Sequence, residues 1–261
     1  MLVLITNDDG IESAGIHALR QIGEAIAAPG GEVWVCAPEQ NHSGAGHSLS
    51  LNEPVRIRKI DERAFAVRGT PTDSVIMGLH HVLKGRRPDL ILSGINRGSN
   101  LAEDVTYSGT IAACFEGTLM GIRSIALSQA FGPESKPNPK WHTPLAHAPG
   151  IIQSLLGLTW SPGTLYSLNF PDCEPEDVKG VEVTVQGRRD PGLLSLDERA
   201  DTWGNPYFWL AYRRTRSEAA DGTDLRAIQE GRISVTPLSM DLSHRAAIAE
   251  TRAALATKRE G

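Results

Sequence analysis

Strand and helix signals alternate along the first half of this chain, and that alternation limits the fold more than any other feature. Leu2–Thr6 is a short apolar run that breaks into Asn7-Asp8-Asp9-Gly10, the turn chemistry that ends a buried strand. Ile16, Leu19, Ile22 and Ile26 then recur at helical spacing until Pro29-Gly30-Gly31 stops them. Val33, Trp34 and Val35 mark a second strand over 32–37, followed by a polar, glycine-rich loop over 38–50. Segments 55–60 and 64–67 read as a small antiparallel excursion. A helix over 72–84 leads to a third apolar strand over 89–93. A Gly/Asn/Ser loop at 94–109, a helix over 110–120 and a strand at 124–128 complete the pattern. Such alternation predicts an α/β fold, a mostly parallel sheet covered by helices on both faces.

The second half changes character. Residues 131–144 form a proline-rich loop, and a helix over 145–157 should be disturbed by Pro149-Gly150. Strands follow at 165–168 and 181–185, and the chain closes on an Ala-rich charged helix over 245–258. Five of the fourteen aromatic residues fall within 203–212 (Trp203, Tyr207, Phe208, Trp209 and Tyr212). That density in a hairpin-like segment predicts burial against something, such as a second subunit. Residues 1–130 are read as the core that carries the site. Residues 131–261 are the remainder of one continuous unit, including the aromatic hairpin and the C-terminal helix.

Charge and cysteine usage narrow the function. With 26 basic and 31 acidic residues the net charge is −5, which argues against a binder of nucleic-acid duplex through a generally basic surface. Small anionic ligands stay open, because a local site can hold them. No apolar run reaches about 18 residues, so no membrane-spanning helix is expected. The opening residues lack a basic n-region and read as a buried strand rather than a signal peptide. The three cysteines form no CxxC and leave an odd one over. Cys36 and Cys114 sit in apolar runs as core thiols, and a reducing cytoplasm fits.

In an open parallel sheet, ligands sit beyond the carboxyl ends of the strands. Three polar segments meet that requirement: Asn7-Asp8-Asp9-Gly10, Asn41-His42-Ser43-Gly44 and Ser93-Gly94-Ile95-Asn96. Adjacent aspartates at a tight turn converge and repel unless a cation intervenes. The oxygens of Asp8, Asp9, Ser43 and Asn96 suit a hard divalent ion, Mg²⁺, Mn²⁺ or Ca²⁺. No His/Cys set has zinc spacing. Tyr107-Ser108-Gly109-Thr110 precedes an apolar helical stretch, where Ser108 caps the helix and the helix start offers an anion site. Gly69-Thr70-Pro71-Thr72-Asp73 reads mainly as a structural cap. Gly44-Ala45-Gly46-His47 lacks the third glycine of a dinucleotide fingerprint, and there is no GxxxxGK[ST] or GxSxG. His42 and His47 lie in the site loop. His80-His81 falls in a helix, with one ring packed and the other at the surface.

These segments resemble the SurE family, the stationary-phase survival proteins. Thr6-Asn7-Asp8-Asp9-Gly10-Ile11, Ala37-Pro38, Asn41-His42-Ser43-Gly44, Gly69-Thr70-Pro71-Thr72-Asp73, Ser93-Gly94-Ile95-Asn96-Arg97-Gly98 and Asp104-Val105-Thr106-Tyr107-Ser108-Gly109-Thr110 occur in order. Asn169-Phe170-Pro171 and Ile233-Ser234-Val235-Thr236-Pro237-Leu238 extend the likeness. It implies a Rossmann-like core, a swapped C-terminal extension and a homodimer or homotetramer. It also implies metal-dependent hydrolysis of nucleoside 5′- and 3′-monophosphates, sometimes of short polyphosphate, with metal ligands matching Asp8, Asp9, Ser43 and Asn96. Where the resemblance leads one to expect an Asp-Pro-Arg-Gly-like run before the aromatic hairpin, this chain reads Ala200-Asp201-Thr202-Trp203-Gly204-Asn205-Pro206.

The expected activity is therefore phosphomonoester hydrolysis by a 5′-nucleotidase, with one divalent metal per subunit held by Asp8, Asp9, Ser43 and Asn96. Asn41, Gly44, Ser108, Gly109 and Thr110 are expected to hold the phosphate. Two other classes share the same pocket. One is a phosphatase with Asp8 as covalent nucleophile, although the DxD spacing is absent. The other is a non-catalytic nucleotide or Ca²⁺ sensor.

Overall fold

The computed structural model describes residues 1–189, 194–212 and 218–256. Strand β1 (Leu2–Thr6) is buried on both sides: Val3 and Ile5 point into one apolar cluster and Leu4 into another. That period of two explains why the strand is an unbroken apolar run rather than an alternating one. Helix α1 (Ala14–Ala27) lays Ile16, Leu19, Ile22 and Ile26 onto the first cluster.

The chain continues through β2 (Glu32–Pro38), β3 (Arg56–Lys59), β4 (Ala64–Arg68) and helix α2 (Pro71–Met77). Next come β5 (Leu90–Arg97), α3 (Gly109–Leu119), β6 (Arg123–Gln129), α4 (His142–Leu156), β7 (Thr164–Phe170) and β8 (Val181–Val183). The last elements are β9 (Leu194–Ala200), β10 (Pro206–Tyr212), α5 (Asp224–Gln229), β11 (Ile233–Ser239) and α6 (Arg245–Ala256). Nine strands form one sheet in the order β3-β4-β2-β1-β5-β6-β7-β11-β8. The six from β4 to β7 run parallel, β3 and β11 pair antiparallel to their neighbours, and β8 lies parallel to β11. The α/β expectation holds, with β1 between β2 and β5 at the middle of the parallel block.

Several local expectations are corrected. The β3–β4 pair is no excursion, because β4 joins the main sheet beside β2. The expected helix 72–84 divides: α2 passes at Gly78 into a widened π turn over Gly78–Val82. A side chain at Gly78 would meet Leu4 Cδ2 at 2.9 Å, so a glycine lets this turn press on β1. The turn sends Leu79 and Val82 inward and leaves both His80 and His81 exposed, not one of them packed. Strand β5 runs on past Ser93 to Arg97, with its register against β6 shifting between Ser93 and Asn96. Gly94 makes the continuation possible, since a Cβ there would sit 2.2 Å from the Leu127 carbonyl oxygen. Helix α4 starts earlier than expected and runs through Pro149, its face fixed by buried Ala148, Ile152 and Leu155. The closing helix is described only to Ala256; the expected end at 258 lies outside the described residues.

Strands β9 and β10 form a separate two-stranded ribbon. Within one chain the aromatic segment is not buried: Trp203 is 85% exposed, and Tyr207, Phe208, Trp209 and Leu210 are exposed as well. Among the described residues no helix is long and apolar enough to cross a membrane.

Candidate functional site

The carboxyl ends of β1, β2 and β5 meet the amino end of α3, and each polar segment singled out in the sequence lies there. The turn after β1 is locked by Asn7, whose amide donates to the Gly10 carbonyl at 2.9 Å and to Ser13 Oγ at 2.8 Å. Gly10 has φ +101°, a conformation that favours glycine, and closes the turn. Asp8 and Asp9 project from it.

Asp8 is buried, with 3% of its surface exposed, and its Oδ1 accepts a 2.6 Å hydrogen bond from the Thr110 hydroxyl. Burial pushes its carboxyl up to about 6, the Thr110 hydroxyl works against that shift, and the Asp9 charge adds to it. Asp9 is also raised by burial, opposed by Arg97, whose backbone N–H donates to its Oδ2 at 2.9 Å. Neither carboxylate has a salt-bridge partner among the described residues. A buried carboxylate beside a half-buried one, with only the charge of Arg97 to offset Asp9, is an electrostatic arrangement that a bound metal relieves.

The loop after β2 closes over this pair. The His42 N–H donates to the Asp8 carbonyl at 2.8 Å, and the Gly46 N–H donates to the Tyr107 carbonyl at 3.1 Å. Asn41 makes a long 3.5 Å contact to Asp9 Oδ1 while its own oxygen accepts from the Ser43 N–H at 2.7 Å. This local turn leaves the Ser43 hydroxyl exposed, and Gly44 faces open space at φ +82°. Asn96, at the end of β5, gives its amide N–H to the Gly98 carbonyl at 2.9 Å. The Ser43 hydroxyl and the Asn96 side-chain oxygen have no hydrogen bond among the described residues.

Helix α3 completes the cluster. Ser108 caps it, accepting from the Ile111 N–H at 3.1 Å. A Cβ on Gly109 would lie 2.7 Å from Asp8 Cβ, so only a glycine lets the positive end of the helix come this close. Thr110 is fully buried, with its hydroxyl committed to Asp8. The structure thus brings Asp8, Asp9, Asn41, Ser108, Gly109 and Thr110 together and sets Ser43, Gly44 and Asn96 on the neighbouring loop and strand ends. Gly69-Thr70-Pro71-Thr72-Asp73 forms a capping box, Thr70 and Asp73 exchanging bonds of 3.1 and 2.8 Å.

The donor set fits a hard cation: two carboxylates, a hydroxyl and an amide oxygen. Among the described residues no group of three or more His, Cys, Asp or Glu could hold a metal. Cys36 and Cys114 are buried and protonated, the Cys36 thiol pushed up to about 12 by burial.

Sequence reasoning missed the outer supports. Arg189 clamps Asp104 with bonds of 2.6 and 2.7 Å and reaches the Leu101 carbonyl at 2.9 Å. Asp224 accepts from the Ala102 N–H at 2.9 Å, pinning the turn that feeds α3. His47 pairs with the buried Glu116 at 3.2 Å. A carboxylate inside the apolar stretch 110–120 was the visible signal for Glu116. Nothing local marks the partnership of residues 85 positions apart.

The Survival protein SurE family model matches residues 3–192. The chain belongs to the SurE family. It is similar to the 5′-nucleotidase SurE of Methylorubrum extorquens (strain PA1), 56% identical over 243 residues, 93% of this chain and 94% of that protein. It is similar also to the 5′-nucleotidase SurE of Parvibaculum lavamentivorans, 53% identical over 93% of this chain and 86% of that protein. The crystal structure of the SurE protein from Aquifex aeolicus superposes with a TM-score of 0.83 at 38% identity, covering 96% of this chain and 98% of that one. In this SurE chain the family match spans every segment of the site.

Proposed function

We propose that this protein is a divalent-metal-dependent phosphatase that releases phosphate from nucleoside 5′-monophosphates, and from 3′-monophosphates as well. The observation that carries the reading is the pair Asp8 and Asp9, adjacent, both raised by burial and neither in a salt bridge among the described residues. The shared name of the relatives, 5′-nucleotidase SurE, supports the substrate class. Asp8, Asp9, Ser43 and Asn96 would hold one Mg²⁺ or Mn²⁺ per subunit, with Ca²⁺ a possible stand-in of no physiological role. Such an ion supplies Lewis acidity for the phosphate and for an attacking water.

The chain's own residues do the remaining work. Thr110 fixes the Asp8 carboxylate, and the Arg97 N–H fixes that of Asp9, so the acidic pair keeps its geometry before substrate arrives. Asn41, the Gly44 backbone and the Ser108-Gly109-Thr110 start of α3 border the space for the phosphate oxygens. Backbone N–H groups and a helix start suit charge that spreads over those oxygens during transfer.

Phosphate release from AMP with Mn²⁺, abolished by EDTA and restored by added metal, is the expected result. Turnover that survives EDTA overturns the metal role. Asp8→Asn should lower kcat by at least two orders of magnitude with an unchanged circular dichroism spectrum. We also read residues 131–261 as continuing the same structural unit, the protein as cytoplasmic, and the ribbon β9–β10 as the contact of a homodimer or homotetramer.

A further inference from the structure

A cavity of about 710 Å³ opens at the carboxyl ends of β2 and β4. It shares a wall with the acidic site through Gln40 and His42. A Cβ on Gly10 would lie 3.3 Å from the Gln40 carbonyl carbon, and the His42 N–H is bonded to the Asp8 carbonyl. The opposite wall carries Arg56 and Arg68, which face each other directly across the antiparallel β3–β4 pair.

Both side chains are exposed, and like charges placed opposite one another on neighbouring strands repel, which an anion between them offsets. Arg58, two residues along the same face from Arg56, is neutralised by Glu39 at 2.9 Å. The Arg56 and Arg68 guanidinium groups have no salt bridge or hydrogen bond among the described residues. Glu53, the other carboxylate of the wall, engages neither. Edge strands use charge to block mispairing, which accounts for basic residues on β3. Arg68 lies on β4, an interior strand, where that reason fails. The lining carries no Phe, Tyr or Trp, and its one ring is His42, on the wall shared with the acidic site. Paired guanidinium groups match the oxygens of a phosphoryl group. Strand β4 lies two places from β1 in the sheet, so the Arg68 end of the cavity is roughly 10 Å from the turn that bears Asp8, two strand spacings away.

We propose that Arg56 and Arg68 form a second anion subsite, which takes another phosphoryl group of the substrate held at the acidic pair. A nucleoside phosphorylated at two positions is then bound in preference to a monophosphate. The inference rests on the phosphatase reading for what occupies the first subsite.

Calorimetric titration with adenosine 3′,5′-bisphosphate and with AMP, in the presence of Ca²⁺ and with released phosphate monitored so that only intact ligand is fitted, tests it on wild type and on Arg56→Gln/Arg68→Gln. Wild type should bind the bisphosphate at least tenfold more tightly than AMP. The double variant should lose that preference while its AMP affinity and kcat stay within twofold. Each single variant should lose part of it, which covers failure of the double variant to fold. Equal affinities in wild type, or a preference kept in folded variants, overturn the subsite. A bisphosphate preference that follows the arginines in a protein unable to hydrolyse AMP overturns the phosphatase reading and leaves the subsite standing.

Discussion

Asp8 sets two opposed demands, since its negative charge suits a cation and burial beside Asp9 disfavours that charge. With its folded-state carboxyl raised from 3.8 to about 6, the linkage sign is fixed. The favourable contribution is complete below the unfolded value and is lost as pH rises through 6. In EDTA the protein should therefore lose stability between pH 4 and pH 7, by no more than roughly 3 kcal/mol for a shift of this size, read as a falling melting temperature. Asp8→Asn should flatten that part of the profile and raise the melting temperature of the metal-free protein at pH 7; an equal slope in both proteins speaks against the burial argument. Gly109→Ala tests the other contact of Asp8. Its methyl would sit 2.7 Å from Asp8 Cβ, an overpacking expected to destabilise by about 1–3 kcal/mol and to lower kcat. The acidic pair and the Ser108 cap were legible in the sequence because each belongs to a turn whose chemistry is local. The Thr110–Asp8 bond was not, because it spans 102 positions.

At the scale of elements, the amphipathic spacing of α1 and the apolar runs of β1, β2, β5 and β6 were readable, since burial on one or two faces writes itself into residue order. The misread boundaries share a cause. Gly94 looks like a break and Gly78 sits inside an expected helix, yet each is a place where backbone must approach another element closely: the strand continues through Gly94, and the helix gives way at Gly78 to the π turn. Strand β5 gains from this, as its extension to Arg97 delivers the N–H that holds Asp9. The turn before α3 depends on a remote element, through Arg189 and Asp104, whose side chains are 17% and 21% exposed. Arg189→Lys loses the two-pronged contact and should reduce stability by about 1–3 kcal/mol. It should also raise KM for AMP by loosening the entry to α3. Unchanged melting and kinetics would make the clamp incidental.

For the whole molecule, the unexplained surface is the ribbon β9–β10, with Phe208 53%, Trp209 59% and Leu210 74% exposed. Apolar area of this kind marks association. Light scattering should report a multiple of the 28.1 kDa chain mass, and Phe208→Ser/Trp209→Ser should shift it toward monomer; a wild-type monomer rules the contact out. The sheet order has a further consequence, for the growing chain. Strand β1 precedes the other strands of its sheet yet occupies the middle of the parallel block, and the aspartates that follow it receive their fixing groups from residues 88 and 102 positions downstream. Such distant closure is slow compared with local helix formation. Until β5 and α3 are made, the acidic turn has its local Asn7 bonds but lacks the Arg97 N–H and the Thr110 hydroxyl that fix its two carboxylates. The geometry of the acidic pair is therefore a property of the assembled sheet and not of the turn that carries it: a chain cut short of α3 keeps both aspartates and loses the groups that aim them.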